Sequence, residues 1–328
     1  MPIIKVEHLY KRFGEIDAVR DISFEVEQGT IFGFLGPNGA GKTTTISILC
    51  TLLAPTYGKA SIYGYDCMEQ SAEVRKSIGI VFQDSTLDKD LTAYENLMFH
   101  AYLYDVSKSD MKRRIDDALR FVDLYERRDD LVKKFSGGMK RRLEVARGLI
   151  HRPKVLFLDE PTIGLDPQTR ANLWDFIVEL PKKHRVTVFM TTHYMEEAEV
   201  CDKIAIIDNG KIITIGTPEE LKKIVGGDVI YISTSDNSRA KAEIEKLFSV
   251  EVFEKDNELF LTSTRGDACI PEIIRALGDM VLSVRLQRPT LNDVFLKMTG
   301  RAIRAEEMSS GDTLKEEVRS YRRKFGRG

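Results

Sequence analysis

The sequence feature that most constrains this chain is the stretch GPNGAGKTT at residues 36–44. It matches the phosphate-binding pattern G-x-x-x-x-G-K-[ST], which ends here in Lys42 and Thr43. The apolar run Ile31–Leu35 precedes it, and a helix-like segment at residues 44–53 follows. In that context backbone N–H groups turn toward an anion, and the helix N-terminus adds positive potential. The pattern predicts that Lys42 contacts the β- and γ-phosphates of a nucleotide and that the Thr43 hydroxyl binds Mg²⁺.

The bulk composition is that of a globular chain without a strong charge bias. Its 328 residues are enough for two domains, and 42% of them are hydrophobic. Lys and Arg (49) nearly balance Asp and Glu (51), so nucleic acid is not an expected partner. There is no signal-peptide pattern and no apolar run that could span a bilayer; we therefore expect a cytosolic chain that reaches a membrane through a partner. The separated cysteines favour reduced thiols: they are Cys50, Cys67, Cys201 and Cys269.

A second motif is a pair of carboxylates after a buried strand. The apolar run at residues 155–158 is typical of a strand that is buried on both faces. Asp159 at its end is where a phosphate-loop protein holds Mg²⁺, often through water. Glu160 is then placed to polarise the water that attacks the γ-phosphate. Two adjacent carboxylates would be expensive to keep at this position as structure alone.

A third motif, Ser136-Gly137-Gly138, opens a predicted helix at residues 140–150 and forms a possible second anion site. One chain with one nucleotide does not need two such sites. We therefore expect a homodimer in which each Ser-Gly-Gly segment meets the nucleotide held by the other subunit. On these residues alone, a helix capped by Ser136 remains the alternative.

Two further polar residues follow predicted strands. His193 comes after the buried strand at residues 186–190, and Gln83 comes after the apolar run at residues 78–82. Ligands of parallel α/β sheets bind at the carboxyl ends of the strands. We therefore expect His193, Gln83 and Asp159 on one edge of the sheet.

Taken together, these residues resemble the ATP-binding subunit of an ATP-binding cassette (ABC) transporter over about residues 2–220. The matching motifs are Walker A (36–44), the Q-loop (Gln83), the signature (135–139), Walker B (155–160), the D-loop (163–166) and the switch histidine (His193). The signature departs from the commoner form in having Met139 for Gln and Phe135 for Leu. Its Ser-Gly-Gly core and the hydrolytic positions are intact.

The resemblance implies ATP hydrolysis with Mg²⁺. Phe13 would hold the adenine in place of the commoner Tyr, since stacking needs only a ring face. Val19 would hold the adenine together with it. The implied nucleotide-binding residues are Phe13, Val19, Gly36, Asn38, Gly39, Ala40, Gly41, Lys42, Thr43, Thr44, Gln83, Ser136, Gly137, Gly138 and Asp166. The implied Mg²⁺ residues are Thr43, Gln83 and Asp159, and the implied catalytic residues are Lys42, Glu160 and His193.

The implied fold class is α/β. Residues 1–225 would form a P-loop ABC-type cassette with a parallel core sheet, an antiparallel β subdomain and a helical subdomain at about residues 84–147. The glycine pair at residues 226–227 predicts a domain boundary. Residues 226–300 follow the order β-α-β-β-α-β, with a hairpin turn at residues 256–257, which resembles a ferredoxin-like accessory domain. Residues 301–328 are polar and predict a flexible tail, with phospholipid contact as an alternative.

The signature variant and the segment RPTLNDVF at residues 288–295 resemble the daunorubicin-resistance branch of multidrug exporters. Members of that branch pair with a separate six-helix permease. We therefore expect an ATPase at the cytoplasmic face of the membrane that powers export of drugs, antibiotics or lipophilic compounds. Two other functions stay open: a non-transport ABC ATPase, which usually carries two cassettes or a long coiled-coil insertion, and a regulatory cassette that only binds nucleotide. Import is the alternative direction.

Overall fold

The computed structural model describes residues 2–255, 258–263 and 265–299. The chain divides into two compact units, with the first ending at Thr217 and the second beginning at Pro218. This division lies upstream of the glycine pair at residues 226–227, where both glycines have positive φ. The predicted hairpin turn at residues 256–257 and the predicted tail at residues 301–328 lie outside the described residues. Among the described residues, no helix is long and apolar enough to cross a membrane.

The first unit is built on a six-stranded sheet in which five strands are parallel and the edge strand β10 is antiparallel. In spatial order its strands are β10 (Lys211–Gly216), β9 (Lys203–Asp208), β3 (Ile31–Leu35), β8 (Thr187–Thr192), β7 (Val155–Asp159) and β6 (Ile78–Val81). All residues of β3, β7 and β8 are buried. The sequences of β3 and β7 are nearly continuous in apolar residues, as expected for strands covered on both faces. Leu35 pairs with Thr192, and Asp159 pairs with Thr191. The carboxyl ends of the three strands therefore meet at one edge.

A four-stranded antiparallel sheet packs against this core through aromatic side chains. Its order is β2 (Ile16–Val26), β1 (Ile4–Phe13), β4 (Tyr57–Ile62) and β5 (Tyr65–Asp66). The ring centroid of Phe24 on β2 lies 5.6 Å from those of Phe32 and Phe34 on β3 and 6.0 Å from that of Phe189 on β8. These ring contacts, one stacked and two tilted, hold the two sheets together.

The helices of the first unit are α1 (Lys42–Leu49), α2 (Ser71–Ser77), α3 (Ala93–Leu103), α4 (Lys108–Phe121), α5 (Gly137–Leu149), α6 (Pro167–His184) and α7 (Met195–Ala198). Helices α3, α4 and α5 form a helical subdomain around one apolar cluster. Met111, Ile115 and Leu119 lie on the buried face of α4, as their helical spacing predicts. This helix ends at Phe121, and a separate 3₁₀ turn follows at Tyr125–Arg127.

The second unit is a small α+β domain. Its elements are α8 (Pro218–Lys223), β11 (Asp228–Thr234), α9 (Asn237–Phe248), β12 (Phe253–Lys255), β13 (Glu258–Ser263), α10 (Gly266–Leu277), β14 (Val281–Gln287) and α11 (Leu291–Thr299). The sheet is antiparallel in the order β12-β13-β11-β14, with β11 paired to both β13 and β14. Along the chain, β11 to β14 follow one another with α9 and α10 in the order β-α-β-β-α-β. Ile230, Ile232, Leu259 and Leu261 form its buried face.

Candidate nucleotide site

The phosphate loop connects the buried strand β3 to helix α1, which begins at Lys42. Two of its glycines leave no room for a side chain. A Cβ at Gly36 would lie 2.2 Å from the carbonyl oxygen of Ile207, and one at Gly41 would lie 2.4 Å from that of Ala18. Gly41 also has φ of 105°, which favours glycine. The backbone therefore closes tightly at the N-terminus of α1, where an anion binds best.

Lys42 is buried, with only 4% of its surface exposed. Its Nζ donates to the carbonyl oxygens of Gly36 at 2.9 Å and Pro37 at 3.1 Å, and it lies 3.1 Å from Oε1 of Glu160. The ammonium group therefore stays inside the loop, held by two carbonyls and one carboxylate. A phosphate that enters the loop would compete with Glu160 for this charge.

Glu160 lies between Lys42 and His193. Its Oε2 is 3.2 Å from Nδ1 of His193, and its backbone N–H donates to Thr191 Oγ1 at 3.0 Å. Burial raises the pKa of Glu160, but the hydrogen bond from His193 and the charge of Lys42 outweigh it and lower the pKa from 4.5 to about 2. Glu160 also has φ of 45°, a left-handed backbone that is strained for a non-glycine residue. The Glu160 carboxylate is therefore ionised, and the backbone that carries it is strained.

Asp159 and Thr43 offer oxygen atoms beside this pair. Asp159 Oδ1 accepts a hydrogen bond of 2.5 Å from the Thr191 hydroxyl and lies 3.5 Å from Thr43 Oγ1. Carboxylate and hydroxyl oxygens fit Mg²⁺, which usually takes one or two protein ligands with phosphate oxygens and water. In the described ranges, no group of three or more His, Cys, Asp or Glu could hold a metal by itself. The donors present therefore fit a cation that arrives with a phosphate.

A cavity of about 470 Å³ opens above these groups. Its lining residues are Phe13, Ala18, Asn38, Gly39, Gly41, Lys42, Thr43, Thr44, Gln83, Glu160 and Ile163. Phe13 is 46% exposed, with Lys11 Nζ 4.9 Å from its ring centroid. Val19, the other residue predicted to hold adenine, is fully buried in the core, and its neighbour Ala18 faces the cavity. Gly36 and Ala40 are buried within the loop.

The Ser-Gly-Gly segment and Asp166 do not line this cavity. Ser136 is exposed, and its Oγ accepts from the Met139 N–H at 3.3 Å, which caps α5. Asp166 is also exposed and caps α6 by accepting from the Thr169 N–H at 3.0 Å; hydrogen bonds from Thr169 lower its pKa. A single chain therefore brings together the phosphate loop, Gln83, Asp159, Glu160 and His193, and leaves these two capping residues elsewhere on the unit.

Sequence reasoning missed two buried charged residues next to the site. Arg141 on α5 is 6% exposed and bonds to backbone carbonyls of β7 and the loop after it. Glu197 on α7 is 4% exposed; it accepts from the hydroxyls of Thr192, at 2.7 Å, and Thr162. Charged residues on helices are usually solvated, and their sequence spacing carries no signal that would distinguish these two.

The arrangement defines the class of the protein. A phosphate loop follows β3, an Asp-Glu pair ends β7, and a histidine follows β8, which lies between those strands. With a helical subdomain that carries a Ser-Gly-Gly helix start, this is an ATP-binding cassette. The chain therefore belongs to the proteins that bind ATP between a phosphate loop and this sheet edge.

Sequence comparison narrows the class to a family. The ABC transporter family model matches residues 19–163, and the model for the C-terminal domain of DrrA1-3-like ATP-binding proteins matches residues 216–299. The chain is 37% identical over 311 residues to the linearmycin resistance ATP-binding protein of Bacillus subtilis, covering 92% of this chain and 100% of the relative. It is 36% identical over 324 residues to the daunorubicin/doxorubicin resistance ATP-binding protein of Streptomyces peucetius, covering 96% and 97%. The chain belongs to the ATP-binding subunits of ABC transporters, in the group that contains these resistance proteins.

Solved structures agree with this assignment. The cassette cbiO1 from Clostridium perfringens, part of the ABC transporter complex cbiONQ, is 29% identical with a TM-score of 0.64, covering 68% of this chain and 93% of that chain. A dimeric ATP-binding cassette in a post-hydrolysis state bound to ADP and Pi is 26% identical with a TM-score of 0.59, covering 65% and 98%. The predicted family and fold class are confirmed.

Proposed function

We propose that two copies of this chain bind ATP at a shared interface and that hydrolysis of this ATP powers a separate membrane permease. The observation that carries the proposal is the cavity where Lys42, Thr43, Gln83 and Glu160 converge, while Ser136 lies outside it. A dimer would bring the Ser-Gly-Gly segment of one subunit to the phosphates held by the other.

In the nucleotide-bound state, Phe13 stacks on the adenine and the loop N–H groups surround the phosphates. Lys42 moves from Glu160 to the β- and γ-phosphates. Thr43, Asp159 and Gln83 would hold Mg²⁺, which neutralises phosphate charge when it is bound. Because Lys42 and Glu160 pair at 3.1 Å, ATP binding also separates the Glu160 carboxylate from Lys42 and leaves it available to the attacking water.

For hydrolysis, Glu160 accepts a hydrogen bond from the attacking water and orients it toward the γ-phosphate. The low pKa keeps this carboxylate ionised, so it accepts rather than donates. His193, 3.2 Å from the second carboxylate oxygen, contacts the γ-phosphate. Asp166 and the signature serine of the partner complete the pocket. The water oxygen bonds to the γ-phosphorus as the bond between that phosphorus and the bridging oxygen breaks. The water gives up a proton to the phosphate product or to solvent, and ADP and phosphate leave.

ATP favours the closed dimer because it binds that state more tightly, and hydrolysis removes the preference. The permease would dock on the helical subdomain that follows Gln83 in the chain. Three large apolar side chains of α3 support this location, since Phe99, Tyr102 and Leu103 are 60%, 53% and 63% exposed. The chain would then act at the cytoplasmic face of the membrane through this six-helix partner.

The relatives support export as the direction of transport. They include resistance proteins for linearmycin and daunorubicin and a Nod factor export ATP-binding protein of Ralstonia nicotianae, 38% identical over 309 residues. We therefore propose export of drugs, antibiotics or other lipophilic compounds. The near-balanced charge gives no support to a nucleic-acid partner.

Replacement of Glu160 by Gln tests the proposal. The amide keeps the shape of the side chain but is a poorer acceptor for the attacking water. We expect turnover to fall by roughly 10²–10⁴-fold while ATP still binds. Phosphate release and equilibrium ATP binding measure the two effects. The half-buried Glu179 on α6, which pairs with Lys183, gives a matched control, since Glu179→Gln should keep wild-type turnover. Wild-type hydrolysis in the Glu160→Gln protein would refute the assigned role.

A further inference from the structure

A buried arginine joins three motifs of the site. Arg141 lies on α5, the helix that begins at the Ser-Gly-Gly segment. We propose that Arg141, paired with Glu144, is a positioning residue: it holds the backbone of Glu160 in its hydrolytic position and ties it to the segment around Gln83. The inference rests on the proposed function, because Glu160 is the carboxylate that orients the attacking water there and Arg141 is inferred to hold its backbone in place.

The first contact set joins Arg141 to the end of β7. Its Nη2 donates to the carbonyl oxygens of Asp159 at 3.1 Å and Glu160 at 3.2 Å, and its Nε donates to that of Pro161 at 2.6 Å. Three successive carbonyl groups therefore face one guanidinium. They belong to the Asp-Glu pair and to the residue that follows it.

The second contact set joins the same helix to the Gln83 segment. Arg141 Nη1 donates to the carbonyl oxygen of Phe82, the residue before Gln83. Glu144 Oε1 accepts from the Thr86 N–H at 3.1 Å, and Arg147 Nη1 donates to the Thr86 carbonyl at 2.9 Å. Helix α5 therefore holds the chain on both sides of Gln83.

Every N–H group of the Arg141 guanidinium has an acceptor, and Glu144 supplies the compensating negative charge. Arg141 Nη1 lies 2.9 Å from Oε2 of Glu144, and the two residues are 6% and 2% exposed. A guanidinium has five N–H donors in a fixed planar fork, and five acceptors are present here. Lysine offers three donors from a single nitrogen and cannot reach all of them.

The strained backbone of Glu160 explains why such a support matters. A non-glycine residue with φ of 45° keeps that conformation only when surrounding groups enforce it. The Thr191 hydroxyl holds its N–H, and Arg141 holds its carbonyl oxygen. If the second contact is lost, the backbone relaxes and the carboxylate moves. Displacements near 1 Å at a reacting centre reduce turnover by about 10²-fold.

The same contacts give a route for coupling. A partner that displaces the segment at residues 82–86 pulls on Phe82 and Thr86, and both are held by α5. The helix carries Ser136 at its N-terminus and Arg141 one turn further along. A movement of this segment would therefore reach Glu160 and the signature serine together.

The experiment compares three variants by steady-state hydrolysis and equilibrium ATP binding. Arg141→Met with Glu144→Gln removes both charges, so that neither is left buried alone. We expect kcat to fall about 10²-fold while the dissociation constant for ATP changes less than about threefold, because no nucleotide-contacting atom is altered. Arg141→Lys should recover part of kcat. Arg142→Lys is the control, because Arg142 bonds to the Val122 carbonyl at 3.0 Å instead, and it should keep kcat.

Thermal unfolding of each variant shows that the measured protein is folded, and Arg141→Lys keeps the proposal testable if the double variant does not fold. Turnover of Arg141→Lys within twofold of wild type would overturn the proposal. So would an equal loss in the Arg142→Lys protein, which would indicate a general effect on α5.

Combination with Glu160→Gln tests whether Arg141 acts through Glu160. We expect Arg141→Lys/Glu160→Gln to hydrolyse ATP at the rate of Glu160→Gln alone, because the positioned group is already absent. A further multiplicative loss would overturn the proposal. Wild-type protein that hydrolyses no ATP would instead reject the proposed function, whereas active wild type with fully active Arg141→Lys would reject only this inference.

Discussion

The two glycine-rich helix starts of the cassette have different surroundings. At the start of α1, Lys42 is 4% exposed, and it pairs with Glu160, which pairs in turn with His193. At the start of α5, Ser136 is exposed and caps its own helix by accepting from the Met139 N–H. The first helix start is embedded in charged groups and opens into a cavity, and the second presents backbone N–H groups and a hydroxyl at the surface.

This contrast indicates that the two helix starts contribute differently to nucleotide binding. The first site has the positive charge that a triphosphate needs and can bind nucleotide within one chain. The second has no charged side chain among its capping contacts, so it adds hydrogen bonds to a phosphate that another group already neutralises.

The largest expected effect is complementation between two inactive chains. Lys42→Met should weaken ATP binding by roughly 10–100-fold through loss of a charged hydrogen-bond donor. Gly137→Asp should keep ATP binding but lose turnover, because its carboxylate repels the phosphates of the partner's nucleotide. A Cβ at Gly137 meets only Leu165 Cδ2 at 3.7 Å, so the fold has room. An equal mixture should regain roughly a quarter of wild-type phosphate release, since half of the dimers contain one intact site.

The control is a mixture of Lys42→Met chains with Lys42→Met/Gly137→Asp chains, in which no dimer has an intact site. It should stay inactive. If the first mixture is also inactive although its chains exchange subunits, the two helix starts do not share a nucleotide.

The second prediction concerns acid stability of the Lys42–Glu160–His193 chain. Because the pKa of Glu160 is lowered from 4.5 to about 2, its contribution to stability is present above pH 4.5 and is lost as the pH falls toward 2. The free energy of unfolding of wild type should exceed that of Glu160→Gln by an amount that shrinks by on the order of 2–3 kcal/mol across this window. Urea unfolding of both proteins at pH 5 and pH 3 measures it. A constant difference would show that the ion pair does not stabilise the fold.

The smallest expected effect is a difference in stability between alanine substitutions at the two glycines of the signature. A Cβ at Gly138 would lie 2.1 Å from Cγ2 of Thr169, whereas one at Gly137 makes an ordinary contact. We expect Gly138→Ala to destabilise the unit by about 1–3 kcal/mol through overpacking and Gly137→Ala to be neutral or stabilising. Denaturant unfolding distinguishes them. Equal stability of the two variants would mean that Thr169 on α6 can move away from an added Cβ at little cost, so that α5 and α6 are not tightly packed there.

Much of the fold follows from local patterns. The strand at Ile31–Leu35 has the bounds of the apolar run in the sequence, and the chain order of strands and helices from β11 to β14 is the one read from residues 226–300. These patterns are readable because a strand buried on both faces must be apolar throughout, and a helix buried on one face must repeat every three to four residues. The helix predicted at residues 140–150 begins earlier, at Gly137, because the Ser136 side chain caps it by accepting from the Met139 N–H.

The sequence by itself determined which chemical groups this protein uses, because the phosphate-loop spacing and the Asp-Glu pair are set by the ligand that they hold. Only the tertiary structure decided which charges meet. The pairing of Lys42 with Glu160, the burial of Arg141 with Glu144, and the choice of Ala18 over Val19 at the cavity depend on packing between distant segments. A charged side chain has many possible partners in sequence, and burial selects those that leave no charge or hydrogen-bonding group unpaired.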